Sequence, residues 1–296
     1  PMSRGLGDVY KRQMNDNIKK YKRIIGALLF SIIILLMSNY SALRKLDIAT
    51  RGNINEPEYI EEPLFDIQFD NQAIQSSKAI VLVIDDFGYR NDSVSDGFLN
   101  LPVAITCAVL PGHPQSSSVA KKAVQFGKEV IVHMPMQSSL GAKGENDFKL
   151  KVGMTSEEIE WRLNEALKEI PEAIGINNHQ GSKATTDGKV MGVVASVLKK
   201  NNKFFLDSRT SSKTIGEKTM RSFGVPTSRR HIILDNDIDP DQISKQLLKL
   251  VQASSKNGMA IGIGHVKSNT LDVLKKEIPA LLQEGYEFKF LSQVVD

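Results

Sequence analysis

The chain has 296 residues, enough for one large domain or two small ones, and its 41% hydrophobic and 24% charged residues are those of an ordinary globular protein. A net charge of +4, thinly spread apart from a basic cluster near the start, gives no footprint for nucleic acid. Cys107 is the one cysteine, which excludes an internal disulfide framework and suits a small buried hydrophobe in "VAITCAV".

Residues 1–13, "PMSRGLGDVYKRQ", resemble a translated sequencing-adapter artefact, with the natural start at Met14, and are set aside from fold reasoning. The basic flank "KKYKR" (19–23) then leads into the uncharged run "IIGALLFSIIILLM" (24–37). Fourteen residues fall short of the ~20 that span a bilayer, so residues 14–42 read as a signal peptide, or as an uncleaved anchor if the run extends to Ala42. Either reading carries the remainder across a membrane. Residues 43–77, with "NEPEYIEEP", read as a polar tether, and the folded domain is expected over 78–296.

From Lys78 onward short apolar runs alternate with helical patterns. The expected strands are "AIVLVI" (79–84), "VAITCAV" (103–109), "EVIV" (129–132), "AIGI" (173–176), "KFFL" (203–206), "HIIL" (231–234), "MAIGI" (259–263) and "YEFKF" (286–290). Between them, Thr155 with Glu158 makes a capping box, Asp239 with Pro240 and Gln242 opens another helix, and Thr270 is expected to cap a third. This alternation predicts an α/β fold with parallel strands, best fitted by a distorted or incomplete (β/α) barrel of about 7–8 strands. An open doubly wound sheet is the alternative.

In such folds the site is built at the carboxyl ends of the strands. Asp85 and Asp86 follow the first run, His113 lies after the second, and His133 ends the third. Asn177, Asn178 and His179 follow the fourth, Asp207 the fifth, Asp235 the sixth and His265 the seventh. Four of the five histidines thus gather at one end, and His231 belongs to the other. Carboxylate with imidazole is a normal ligand set for a catalytic divalent ion, which would also relieve the repulsion between Asp85 and Asp86. Plainer readings stand beside this one: Asp85-Asp86 as a turn and helix cap, His133 as a core histidine, and His179 and His265 as structural. Asp207 and Asp235 as turn residues and His113 as a rim residue complete that alternative.

The motifs "VIDDFG", "HMPM", "GINNHQGS", "FLDSRT" and "IGIGHV", in this order, resemble the divergent polysaccharide deacetylases, distant relatives of metal-dependent carbohydrate esterases. The resemblance covers essentially all of 78–296. It implies Asp85 as catalytic base, Asp86 and His133 as metal ligands, and His265 as general acid. The esterases' second ligand histidine, four residues after the first, is here Gln137, so His179 is assigned the third ligand position. Asp207 is expected to orient His265 or bind sugar hydroxyls, with Asn178, Arg209 and His113 on the substrate. One divalent ion, Zn²⁺ as first choice, is implied. The implied function is removal of acetyl groups from an envelope or extracellular polysaccharide, outside the cytoplasmic membrane. The alternative is a metal-containing glycan-binding or regulatory module that hydrolyses nothing.

Overall fold

The computed structural model describes residues 78–296 except 142, 143 and 146; the expectations for 1–13, 14–42 and 43–77 lie outside the described residues. β1 (Ala79–Phe87) is buried along its whole length apart from Asp86. Two parallel neighbours, β2 (Thr106–Val109) and β8 (Met259–His265), flank it, and helices cover the sheet, which is why its sequence runs apolar without alternation.

The chain alternates strand and helix. After β1 come α1 (Ser93–Leu99), β2, α2 (Ser116–Gln125), β3 (Glu129–Met136), α3 (Ser156–Glu169), β4 (Gly175–Gln180), α4 (Gly188–Lys200), β5 (Phe204–Asp207) and α5 (Gly216–Phe223). Then follow β6 (Thr227–Arg229), β7 (Ile232–Ile233), α6 (Pro240–Asn257), β8, α7 (Ser268–Gln283) and β9 (Glu287–Lys289). The sheet order is β6-β5-β4-β3-β2-β1-β8-β7, all parallel. Its two edges are one stretch of chain, since β6 pairs with β5 and β7, two residues on, pairs with β8. A distorted barrel results.

His231 makes that crossing possible. Its N–H donates to the Ile261 carbonyl, and its ring Nδ1 accepts the Ile261 N–H at 3.0 Å, standing in for a backbone acceptor where the ladder breaks. Burial and the nearby Arg229 guanidinium push the His231 pKa down, which keeps that nitrogen an acceptor.

Inside the barrel, Val81, Val83, Ala108, Ile131, Leu206, Ile261 and Ile263 pack on Leu291 from the carboxyl-terminal segment. There the Leu291 N–H donates to Thr106 Oγ1 and the Ser292 N–H to the buried Glu129 carboxylate. Among the described residues this end of the barrel is therefore closed by chain, and the opposite end is left for a site.

Beyond shifts of a few residues at strand ends, the structure differs from the sequence expectations as follows. β2 begins at Thr106 rather than at residue 103. The three-residue β6 has no apolar run to announce it. Thr270 is not a cap: α7 starts at Ser268, and the Thr270 hydroxyl donates to Asp235 Oδ2 at 2.6 Å. The capping box of Thr155 with Glu158 and the Asp239 cap ahead of Pro240 are both present.

Candidate metal centre and active site

Consecutive residues of a strand point to opposite faces, so Asp85 and Asp86 can share a site only if the strand is distorted. It is. The β1–β2 register shifts between Ile84 and Phe87, and Asp86 has a left-handed backbone (φ 68°). Both carboxylates then approach one imidazole nitrogen, His133 Nε2, with Asp85 Oδ2 at 3.6 Å and Asp86 Oδ1 at 3.4 Å.

The orientation of His133 is set by β4. His133 and Asn177 are paired in register, and His133 Nδ1 lies 2.7 Å from Asn177 Oδ1. The Asn177 amide donates in turn to Asp85 Oδ1 at 2.8 Å. With its nitrogen committed to Asp85, Asn177 offers His133 an acceptor, so Nδ1 donates to it and Nε2 is the nitrogen turned to the two carboxylates. His179, two residues further along β4, brings its Nδ1 to 3.0 Å from His133 Nε2 and 3.3 Å from Asp86 Oδ1.

Asp86 Oδ1, His133 Nε2 and His179 Nδ1 therefore form a triangle with edges of 3.0–3.4 Å. Ligand atoms on a tetrahedral ion with bonds near 2.0–2.1 Å stand about 3.3 Å apart. Asp86 Oδ1 is buried with no hydrogen-bond partner, the condition in which a carboxylate oxygen calls for a cation. Oxygen and two imidazole nitrogens suit Zn²⁺ or a similar divalent ion. The residues fit the group.

The electrostatics agree. Burial works against charge on His133, but Asp85 and Asp86 outweigh it and raise its pKa to about 9. The Asp86 carboxyl is held far below the carboxylate range, because the two histidines overcome its burial. Asp85 goes the other way: burial, reinforced by the Asp86 charge, raises its pKa. Two adjacent carboxylates are thereby driven apart, one toward ligation and one toward accepting a proton.

Across β1, Asp85 is paired in register with His265 at the end of β8. His265 Nδ1 lies 2.7 Å from Asp235 Oδ1, and its backbone N–H donates to Asp235 Oδ2. Burial disfavours the imidazolium, but Asp235 overrides it and raises the His265 pKa.

Here one expectation is corrected: Asp235, not Asp207, holds His265. Asp207 Oδ1 accepts the Arg209 N–H, while Oδ2 accepts from the Thr214 hydroxyl and the Glu217 N–H, so its carboxylate is consumed in capping the start of α5. Asn178 is likewise occupied. It accepts the Ser208 N–H and donates to the Gln180 carbonyl, pinning β4 to the loop after β5 and leaving little for a sugar. Arg209 sits in that loop with a left-handed backbone, half-buried. His113 packs on Tyr89, whose ring lies 4.2 Å away and whose hydroxyl donates to Glu145 Oε1 at 2.6 Å. Sequence reasoning placed Asn177 and Asp235 at the correct end without giving either a role. The two-residue spacing of Asn177 and His179 was the available signal for the first.

The model of the divergent polysaccharide deacetylase family matches residues 82–295, and the site falls within that span. The chain belongs to this family. An uncharacterized protein of Haemophilus influenzae is 35% identical over 196 residues, covering 66% of this chain and 69% of that one. The uncharacterized protein YibQ of Escherichia coli is 36% identical over 199 residues, covering 67% and 62%. The matched part of this chain thus spans about two thirds of each relative's length. Among solved structures, the uncharacterized protein ATU2773 of Agrobacterium tumefaciens has a similar fold, with TM-score 0.68 and 19% identity over 75% of this chain and 94% of that one.

Proposed function

We propose that this divergent polysaccharide deacetylase domain is an active, metal-dependent hydrolase that removes acetyl groups from a polysaccharide of the cell envelope. The observation that carries the reading is a buried proton acceptor, Asp85, and an imidazole held by a carboxylate, His265, paired in register beside the Asp86–His133–His179 triangle. A divalent ion held by those three side chains would act as a Lewis acid toward the acetyl carbonyl and make water easier to deprotonate.

The remaining work belongs to the chain. Asp85, with its raised pKa, takes the proton from the attacking water, and Asn177 holds both Asp85 and the His133 ring for that transfer. His265 enters protonated, supported by Asp235, and delivers its proton to the departing amine nitrogen as the C–N bond breaks. The proton balance closes when Asp85 passes its proton to solvent and His265 regains one. An extracytoplasmic location is part of the proposal, supported by the basic flank and apolar run at 19–37. Among the described residues no helix is long and apolar enough to cross a membrane.

The test is elemental analysis of the purified chain together with acetate release from N-acetylated and O-acetylated glycans, peptidoglycan and chitin oligomers first. Near-stoichiometric metal with acetate release, abolished in Asp85→Asn while the metal stays, supports the reading. Metal without acetate from any of these polymers replaces it with a glycan-binding module.

A further inference from the structure

His179 Nδ1 belongs to the triangle, which leaves Nε2 as the atom that orients the ring. A histidine that ligates through one nitrogen donates its other N–H to an outer acceptor, which fixes the tautomer and aims the lone pair. Two side chains reach His179 Nε2. The Gln180 amide lies 3.2 Å away, and Glu145 Oε2 lies 4.0 Å away.

Gln180 Oε1 is a buried acceptor with no hydrogen-bond partner, and Glu145 Oε2 is a buried oxygen with no hydrogen bond, facing the Lys149 ammonium at 3.8 Å. Such an atom costs on the order of 1–3 kcal/mol unless it receives a proton. With the Gln180 nitrogen toward His179, an N–H would face an N–H when Nδ1 is the ligand. Exchanging the two ends of the amide removes that clash and gives Oε1 its donor. Glu145 adds negative charge to the same nitrogen.

The local chain is built to hold both groups there. Gln180 has a left-handed backbone (φ 57°) at the end of β4, and its carbonyl accepts from Asn178 and Thr210. Glu145 also has a positive φ, 45°, and is tied to the loop after β1 by the Tyr89 hydroxyl. Gln137 anchors the loop that carries Glu145, its Oε1 accepting the Val152 N–H at 2.9 Å and its N–H donating to the Leu150 carbonyl. Gln137, four residues after His133, thus supports the loop that reaches His179.

We propose that Gln180 and Glu145 are the positioning residues of this metal site, Gln180 accepting from His179 Nε2–H and Glu145 adding its negative charge on the same side, so that Nδ1 points at the ion. The inference rests on the metal reading above.

The experiment uses the full chain, loaded with Zn²⁺ for affinity by chelator competition and with Co²⁺ for its ligand-field spectrum. The variants are Gln180→Leu, Gln180→Glu, Glu145→Ala and Tyr89→Phe. Gln180→Leu and Glu145→Ala should each weaken Zn²⁺ binding by about 10- to 100-fold and shift the Co²⁺ bands. The melting temperature of the chelator-treated Gln180→Leu protein should not fall. Gln180→Glu, which keeps an acceptor, should bind within a few-fold of the unmutated chain, and Tyr89→Phe should show a smaller loss. Unchanged affinity and spectrum in both Gln180→Leu and Glu145→Ala overturn the inference while leaving the metal reading intact. An unmutated chain that takes up no metal overturns both.

Discussion

The rim above β1, β3 and β4 and the rim above β5 both carry buried polar residues in the loop-forming position, and they use them in opposite ways. Above β5, Asp207 finds every partner within ten residues, and Arg209, Thr214 and Glu217 consume its carboxylate. Above β1, β3 and β4, the partners of Asp85 and Asp86 lie on other strands, about fifty to ninety residues away, and Asp86 Oδ1 has no hydrogen bond at all. A carboxylate satisfied by its own loop is structure. One brought to two imidazoles by three separate strands, with an oxygen left bare, is a candidate ligand.

The sharpest way to break this contrast is His133→Ala, which removes the imidazole both carboxylates face. Metal content should fall to a small fraction of stoichiometric by elemental analysis, with no measurable acetate release. Asp85→Asn should keep the metal and lose about 10²- to 10⁴-fold in kcat, because the amide can still accept from Asn177 but takes no proton. Metal loss in that variant would make Asp85 a ligand.

Asp235→Asn should cost about 10²-fold in kcat, near the lower end of what a general acid contributes. Without the carboxylate that raises the His265 pKa, the descending limb of the pH profile should also move to lower pH. Its counterpart is Asp207→Asn, which should destabilise the fold by about 1–3 kcal/mol by leaving a donor of α5 unsatisfied, with kcat/KM per folded molecule unchanged. Equal effects on turnover in the two variants would erase the distinction between the rims.

The smallest effect expected is with pH. The folded-state pKa of His133, about 9, lies above the ordinary 6.5, so its ionisation stabilises the chelator-treated chain fully below pH 6.5. That contribution should be lost as the pH rises through 9, and the melting temperature should fall over this window. Added Zn²⁺ should restore more stability at pH 9 than at pH 6.5, because the proton it displaces has left.

The sequence by itself determined the strand–helix alternation and the barrel end at which Asp85, Asp86, His133, His179 and His265 gather. Each is written locally: β1 is an unbroken apolar run that halts at two carboxylates, and His133, His179 and His265 stand at the ends of such runs. It did not determine which of two buried aspartates serves His265. Asp207 and Asp235 look alike in the chain, each closing an apolar run, and only the order of strands puts β7 beside β8 and leaves β5 beside β6. Asn177 as the bridge between Asp85 and His133 was hidden for the same reason, since β3–β4 register and β1 must be known together. A strand's own residues fix which atoms reach its end. Which strand lies next to it is fixed by packing across the whole barrel, and the partner of every buried charge follows from that.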